Sequence, residues 1–145
     1  MQIIIPFKLL SYNGYYRNTK SGHRVKTGAG LAYDEELGLF LEDNAAALLN
    51  FGRSIDLSTN ILKLKIQIFN SNFYIKDGSR LNEASGDIDN YVKILQDKLF
   101  KAMGLNDVFV KKLLVEEYPW DMDLAQISLS SQSISSHQAV PAYYP

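Results

Sequence analysis

The sequence predicts one α+β domain, built on a mixed β-sheet with two main helices. Three observations carry that expectation. The chain has 145 residues, enough for one substantial core. Residues 61–69 alternate apolar and polar with a period of two, the mark of a half-buried strand. Residues 31–50 and 89–103 instead repeat apolar residues at helical spacing, with β-rich segments before, between and after them.

Each element has its own local reason. Gln2 to Leu10 is apolar and β-rich and reads as a first strand. Ser11 to Gly30 contains Asn13, Gly14, Asn18, Gly22, Gly28 and Gly30 and is expected to be a long loop, of the kind usually functional or disordered. Leu31 to about Asn50 predicts a helix with Leu37, Leu41, Leu48 and alanines on its apolar face. Ile61 to Phe69 sets Leu62, Leu64, Ile66 and Ile68 against Lys63, Lys65 and Gln67, with the lysines facing out. A shorter strand is expected at Phe73 to Ile75, then a polar connection to Gly86. In the second helix, Asp89 to Met103, Val92, Leu95, Leu99, Ala102 and Met103 share one face, and Asp89, Lys93 and Asp97 lie roughly opposite. Gly104 fits its stop. Val108 to Val115 and Leu124 to Ser130 read as the last strands, joined through Tyr118-Pro119-Trp120 and Asp121. The domain is therefore expected over residues 1–130, with the serine-rich 131–145 as a flexible tail.

Bulk composition narrows the class. Hydrophobic residues make up 46% and charged residues 21%, ordinary for a soluble globular chain. Cysteine is absent, which excludes disulfide staples and thiolate zinc sites and is compatible with a reducing cytoplasm. The start, Met1-Gln2-Ile3-Ile4-Ile5-Pro6, lacks the pattern of a signal peptide, and no apolar run approaches the roughly 20 residues of a membrane span. A cytoplasmic protein with no membrane partner is expected. The net charge of −1 argues against a protein that coats nucleic acid, but not against a nuclease, whose acids offset its basic contacts. Charge is unevenly spread: Arg17, Lys20, Arg24 and Lys26 stand in a stretch without acids, ahead of an acidic helix.

The most informative cluster is Asp87-Ile88-Asp89-Asn90, with Lys93, Asp97 and then Asp107. Several carboxylates beside a lysine are the residue kit of a hard-cation site that hydrolyses phosphodiesters. Oxygen ligands suit Mg²⁺, and a nearby lysine can stabilise charge on a phosphate. Spacing alone is met equally well by a helix cap at Asp89, i,i+4 surface pairs among Asp89, Lys93 and Asp97, and a turn at Asn106-Asp107. A calcium loop is excluded, because counting from Asp87 the sixth and twelfth positions are Val92 and Lys98, where glycine and glutamate are needed. His23 and His137 have no partners at metal spacing, Asp121-Met122-Asp123 reads as turn chemistry, and no glycine-rich phosphate loop precedes a helix.

The pattern Asp87-x-Asp89-Asn90-x-x-Lys93-x-x-x-Asp97, followed by Leu105-Asn106-Asp107 and a β-rich stretch, resembles the signature of RusA-type Holliday-junction endonucleases. Ser11-Tyr12-Asn13-Gly14-Tyr15-Tyr16-Arg17 and Ala32-Tyr33 resemble that family's N-terminal region, so the likeness covers roughly residues 1 to 130. The resemblance implies a RusA-like fold and a Mg²⁺-dependent homodimer, with Mn²⁺ as a substitute, that resolves four-way DNA junctions by paired symmetric nicks. It implies Asp87, Asp89 and Asp107 as metal-binding and catalytic carboxylates and Lys93 as the catalytic lysine, with Asn90 and Asp97 in support. Where that family often has two acids, this chain has Asn106-Asp107, and the chain is less basic than the best-known members. Small stand-alone members are often bacterial or encoded by phages and prophages. The competing functional readings are a branched-DNA-binding protein without catalysis and a nuclease acting on flap or fork DNA.

In the loop upstream, Tyr15, Tyr16, Arg17, Lys20, Arg24 and Lys26 are the expected DNA-binding residues. Basic groups neutralise phosphates, and aromatic rings stack on bases exposed at a distorted junction.

Overall fold

The computed structural model describes residues 1–83 and 86–143 and shows the expected α+β domain with a mixed sheet. Strand β1 is Gln2–Ile5 and ends where Pro6 removes a backbone donor. The central strand β4, Asn60–Asn70, is followed by helix α4, Val92–Met103, and strand β5, Val110–Pro119, which returns parallel to β4. Strand β6, Leu124–Ser133, pairs antiparallel with β4 on one side and with β1 on the other. The sheet order is thus β1-β6-β4-β5, leaving β1 and β5 as edges.

One face of the sheet carries the core. Leu62, Leu64, Ile66 and Ile68 of β4 and Ala125, Ile127 and Leu129 of β6 are buried, and Leu95, Leu99, Phe100 and Met103 of α4 pack with them in the same cluster. The alternation read from the sequence is therefore the pleat itself: Lys63, Lys65 and Gln67 fall on the opposite, open face. Gly104 adopts φ 69° and ends α4, with the Leu105 amide returning to the Phe100 carbonyl at 3.0 Å.

Several expectations give way to finer structure. Residues 11–30 do not form one open loop. They fold into a single helical turn α1, Tyr12–Tyr15, and a small hairpin of β2, Tyr16–Asn18, and β3, Arg24–Lys26, before helix α2 begins at Gly28. Two residues fasten this folding: Ser11 caps α1 through the Gly14 amide, and Thr27 caps α2 through the Gly30 amide at 2.9 Å. The expected first long helix is two helices, α2 at Gly28–Asp43 and α3 at Ala45–Arg53. They part at Asn44, whose side-chain amide donates to the Phe40 carbonyl at 2.8 Å and so competes with the backbone ladder. Among the described residues, Phe73 to Ile75 forms no strand but contributes an isolated bridge between Tyr74 and Leu81. Tyr118 and Pro119 belong to β5 rather than to the connection, and β6 passes the expected domain end at 130 before a 3₁₀ turn at Ile134–Ser136. The Ile134 amide bonds to the Thr59 carbonyl at 2.9 Å, tying that turn to the start of β4.

Candidate active site

The segment after β4 makes a 3₁₀ turn, Ile88–Tyr91, and passes directly into α4. Burial of Val92, Leu95, Leu99 and Met103 against the sheet fixes the rotation of α4. With that face inward, Asp89, Lys93 and Asp97 point outward. A second 3₁₀ turn, Asp107–Phe109, then leads into β5. The result is a cleft of about 620 Å³ between α4 and the β5 edge, lined by Asp89, Lys93, Asp97 and Asp107 on its polar side and by Leu113, Leu114 and Val115 on its apolar side.

Among the described residues the cap and surface-pair roles are not realised, whereas the turn at Asn106-Asp107 is: the Asn106 side-chain oxygen accepts from the Val108 amide at 3.0 Å and caps the second 3₁₀ turn. The residue before the first 3₁₀ turn is Asp87, the residue before α4 is Tyr91, and neither makes a side-chain cap bond. Among the described residues, Lys93 has no ion pair with Asp89 or Asp97 within 4.0 Å. Its ammonium instead lies 5.7 Å from the centre of the Tyr12 ring, a cation–π distance that leaves it facing the cleft.

Asp87 departs from expectation. Its backbone is extended, and the chain turns immediately afterwards into the 3₁₀ segment that carries Asp89 rather than continuing as a strand. Asp87 is exposed and lies outside the cleft lining. Asn90 is half-buried, with its amide bonded to the Asp87 carbonyl at 3.1 Å, and it too lies outside that lining. Asp97 and Asp107 also share a smaller depression with Lys101 and Asn106. Asp89 stands eight residues before Asp97, on the order of 12 Å along a helical path. This separation accounts for a further result: among the described residues, no three acidic or histidine side chains stand together as a metal-holding group. Of the three carboxylates expected at the metal, Asp89 and Asp107 line this cleft and Asp87 lies outside its lining. Two carboxylates still fit Mg²⁺ at a phosphate site, where the ion keeps waters and takes further oxygens from the substrate.

The basic hairpin adjoins this cleft through Tyr12. The Arg24 guanidinium lies 5.1 Å from the Tyr12 ring centre and 5.5 Å from that of Tyr16, and it donates a hydrogen bond to the Tyr12 hydroxyl. Tyr12 thus contacts Arg24 on the hairpin and Lys93 on α4. Arg17 and Lys20 are exposed toward the hairpin end. Tyr15 is different: it is buried, with its hydroxyl bonded to Asp34, and cannot stack on a base. Lys26 is engaged as well, 2.7 Å from Asp34. Lys63 and Lys65 lie on the other face of the sheet, and Arg80 pairs with Glu83 at 3.3 Å, so none of these extends the cleft's basic margin.

Asp34, which the sequence did not single out, joins three elements. From α2 it accepts from Lys26 of the hairpin and from Lys98 of α4 at 2.9 Å, and from the Tyr15 hydroxyl. Partial burial pushes its carboxyl up, but hydrogen bonds from Lys26, Tyr15 and Lys98 outweigh that and hold it at about 2. Its ordinary value is 3.8, so the linked stability is fully present above about pH 4 and lost as pH falls through about 2. Asp34→Asn is expected to cost on the order of 1–2 kcal/mol at neutral pH, and to flatten the pH dependence of stability between about pH 4 and pH 2. Urea melts across that range test this; an unchanged slope would remove Asp34 as the linking group.

Among the described residues, no helix is long and apolar enough to cross a membrane. No protein-family model matches this chain, and none of the curated proteins matches it in sequence.

Proposed function

We propose that this chain is a Mg²⁺-dependent, structure-specific endonuclease that resolves four-way DNA junctions by paired symmetric nicks, acting as a homodimer in the cytoplasm of a bacterial or phage-infected cell. The single observation that carries the reading is the cleft itself: Asp89, Lys93, Asp97 and Asp107, separated in sequence, line one depression beside a basic hairpin. This convergence supports the resemblance to RusA-type endonucleases, since surface ion pairs and caps do not require it.

The residues divide the work. Asp89 and Asp107 would hold Mg²⁺, or Mn²⁺ in its place, together with phosphate oxygens and water. The bound ion supplies a water activated at neutral pH and offsets charge on the attacked phosphate. Lys93 pairs with a phosphate oxygen and stabilises the charge that grows there. Asp97, one turn beyond Lys93, supports the site as a further carboxylate on the same wall of the cleft. Arg17, Lys20 and Arg24 neutralise phosphates of a junction arm, and Tyr12 and Tyr16 give that surface its aromatic component.

The test is cleavage of a synthetic four-way junction, labelled on each strand in turn, with Mg²⁺ and with EDTA. Wild type is expected to give paired nicks only with the ion, and Asp89→Asn to lose about 10²-fold or more of the rate. Tight junction binding without cleavage in Mg²⁺ or Mn²⁺ would make this a binding protein, and a lone nick restricted to flap or fork DNA would reassign the substrate.

A further inference from the structure

Strand β5 is an edge of ten residues with one strand neighbour, β4, among the described residues. Edge strands of this length expose a row of backbone donors and acceptors and are usually shortened, bulged or covered. This one is none of these over Lys112 to Pro119, where its pairing with β4 is regular. It also exposes apolar side chains to both faces. Leu113 and Leu114 are each 50% exposed, Leu113 toward the cleft and Leu114 toward the open face of the sheet.

The order of residues along that edge says what covers it. The run is Lys111-Lys112-Leu113-Leu114-Val115-Glu116-Glu117. Laid antiparallel against a second copy of itself and centred on Leu114, the regular part of this run places Lys112 opposite Glu116 and Leu113 opposite Val115; Lys111 falls at the register shift between Val110 and Lys112 and is not assigned a partner. Leu114 meets its own copy. Opposed residues in an antiparallel ladder point to the same face, and a two-fold axis perpendicular to the sheet requires that they do. This register satisfies both conditions, with Lys112, Leu114 and Glu116 on the open face and Leu113, Val115 and Glu117 on the helix face. Lysines alone would repel another edge; lysines followed by glutamates attract a copy of this one. The acids are already oriented, Glu116 by the Tyr118 hydroxyl at 2.6 Å and Glu117 by the Asn70 amide at 2.7 Å.

We propose that β5 pairs antiparallel with β5 of a second copy of this chain, joining two four-stranded sheets into one sheet across a two-fold axis at Leu114. The two clefts then open on the same helix-bearing face, on either side of the axis. The partner's strand lies along the apolar wall formed by Leu113 and Val115, so the seam closes the side of the cleft that one copy leaves open. The use of this arrangement, one cleft for each of two symmetric strands, rests on the junction reading; the seam itself does not.

Sedimentation velocity on the full chain without DNA tests it. Wild type is expected to be dimeric at micromolar concentrations. Lys112→Glu, which sets glutamate against Glu116 twice per dimer, is expected to weaken association about tenfold. Leu114→Lys, which sets two ammonium groups together at the axis, is expected to do the same or more. Lys112→Glu combined with Glu116→Lys restores opposite charges and is expected to return association to near the wild-type value. Lys112 and Leu114 are exposed, so circular dichroism and melting temperature should stay unchanged and separate dissociation from misfolding. A monomeric wild type, or a dimer indifferent to these changes, would overturn the seam. Because the readout contains no DNA, a dimer that cuts nothing keeps the seam and loses the nuclease reading, and a monomer that cuts junctions does the reverse.

Discussion

Lys93→Ala is expected to slow junction cleavage about 10²–10³-fold while leaving junction binding within a few fold. The argument starts from what the side chain touches. Lys93 is exposed on the outward face of α4, and its ammonium contacts the Tyr12 ring rather than a carboxylate. A lysine already neutralised by an acid would have to break that pair before meeting a phosphate; this one does not. Its contribution to binding is one charge among several, since Arg17, Lys20 and Arg24 remain. On the proposed nuclease reading its contribution to the transition state is specific, because charge would grow on a phosphate held beside Asp89 and Asp107. Lys93→Arg keeps the charge but replaces a compact ammonium with a planar fork, so it should restore binding more fully than rate. Single-turnover cleavage beside a titration of the same labelled junction reads both quantities. Cleavage at the wild-type rate in Lys93→Ala would remove Lys93 from the chemistry, and equal losses of rate and binding would reduce it to a contact residue.

The parts of the fold legible in the sequence are those where one face of an element is buried. Ile61 to Phe69 and Val92 to Met103 carry periods of two and 3.6 because each meets the core on one side only. Legibility failed where side-chain caps decide the backbone. Ser11 and Thr27 convert a glycine-rich stretch into a turn of helix and the start of another, and Asn44 divides a continuous apolar pattern into two helices. Such bonds are local and specific, and composition averages over them. The last strands were read short for a different reason: β5 is an edge, its exposed residues do not alternate cleanly, and Pro119 at its end looks like a breaker.

The candidate site divides along the same line. Lys93 and Asp97 follow from helical spacing within α4, and Asp89 joins them at the cleft from the 3₁₀ turn that runs directly into that helix. Asp107 joins them because Gly104 reverses the chain toward β5, which the glycine signalled. Asp87 lies outside the cleft lining, just before a 3₁₀ turn at Ile88–Tyr91, and nothing in Asp87-Ile88-Asp89 distinguishes that turn from a strand. Among the tyrosines, spacing gave no means to separate Tyr12, which reaches Lys93, from Tyr15, which is core. Asp34 was invisible for a similar reason. Its partners Lys26 and Lys98 come from distant segments, and only the packed chain brings them to one carboxylate.

Gly52→Ala is expected to lower stability by about 3 kcal/mol, and the melting temperature by roughly 10 °C, with a loss of any activity that depends on the cleft. Gly52 is buried near the end of α3, where that helix crosses the end of α4. A Cβ there would stand 2.1 Å from the Met103 carbonyl oxygen and 3.1 Å from its carbon. The obstacle is backbone, so no rotamer change relieves it. Nor can the Met103 carbonyl swing aside cheaply, because Gly104 at φ 69° and the Leu105 to Phe100 hydrogen bond fix that end of the helix. The methyl must therefore push α3 away from α4 or tilt α4 itself. A tilt carries Asp97 and the turn bearing Asp107 with it, so the clash is felt in the cleft although Gly52 is not part of it. Gly38→Ala is the control: Gly38 is exposed inside α2 with no atom near its would-be Cβ, and alanine there should gain about 0.5–1 kcal/mol from helix propensity alone. Paired thermal melts of the two variants distinguish close helix contact from a general effect of adding a methyl group. A Gly52→Ala protein that melts with wild type would mean that α3 and α4 are not pressed together at this point, and that α4 is positioned by the sheet alone.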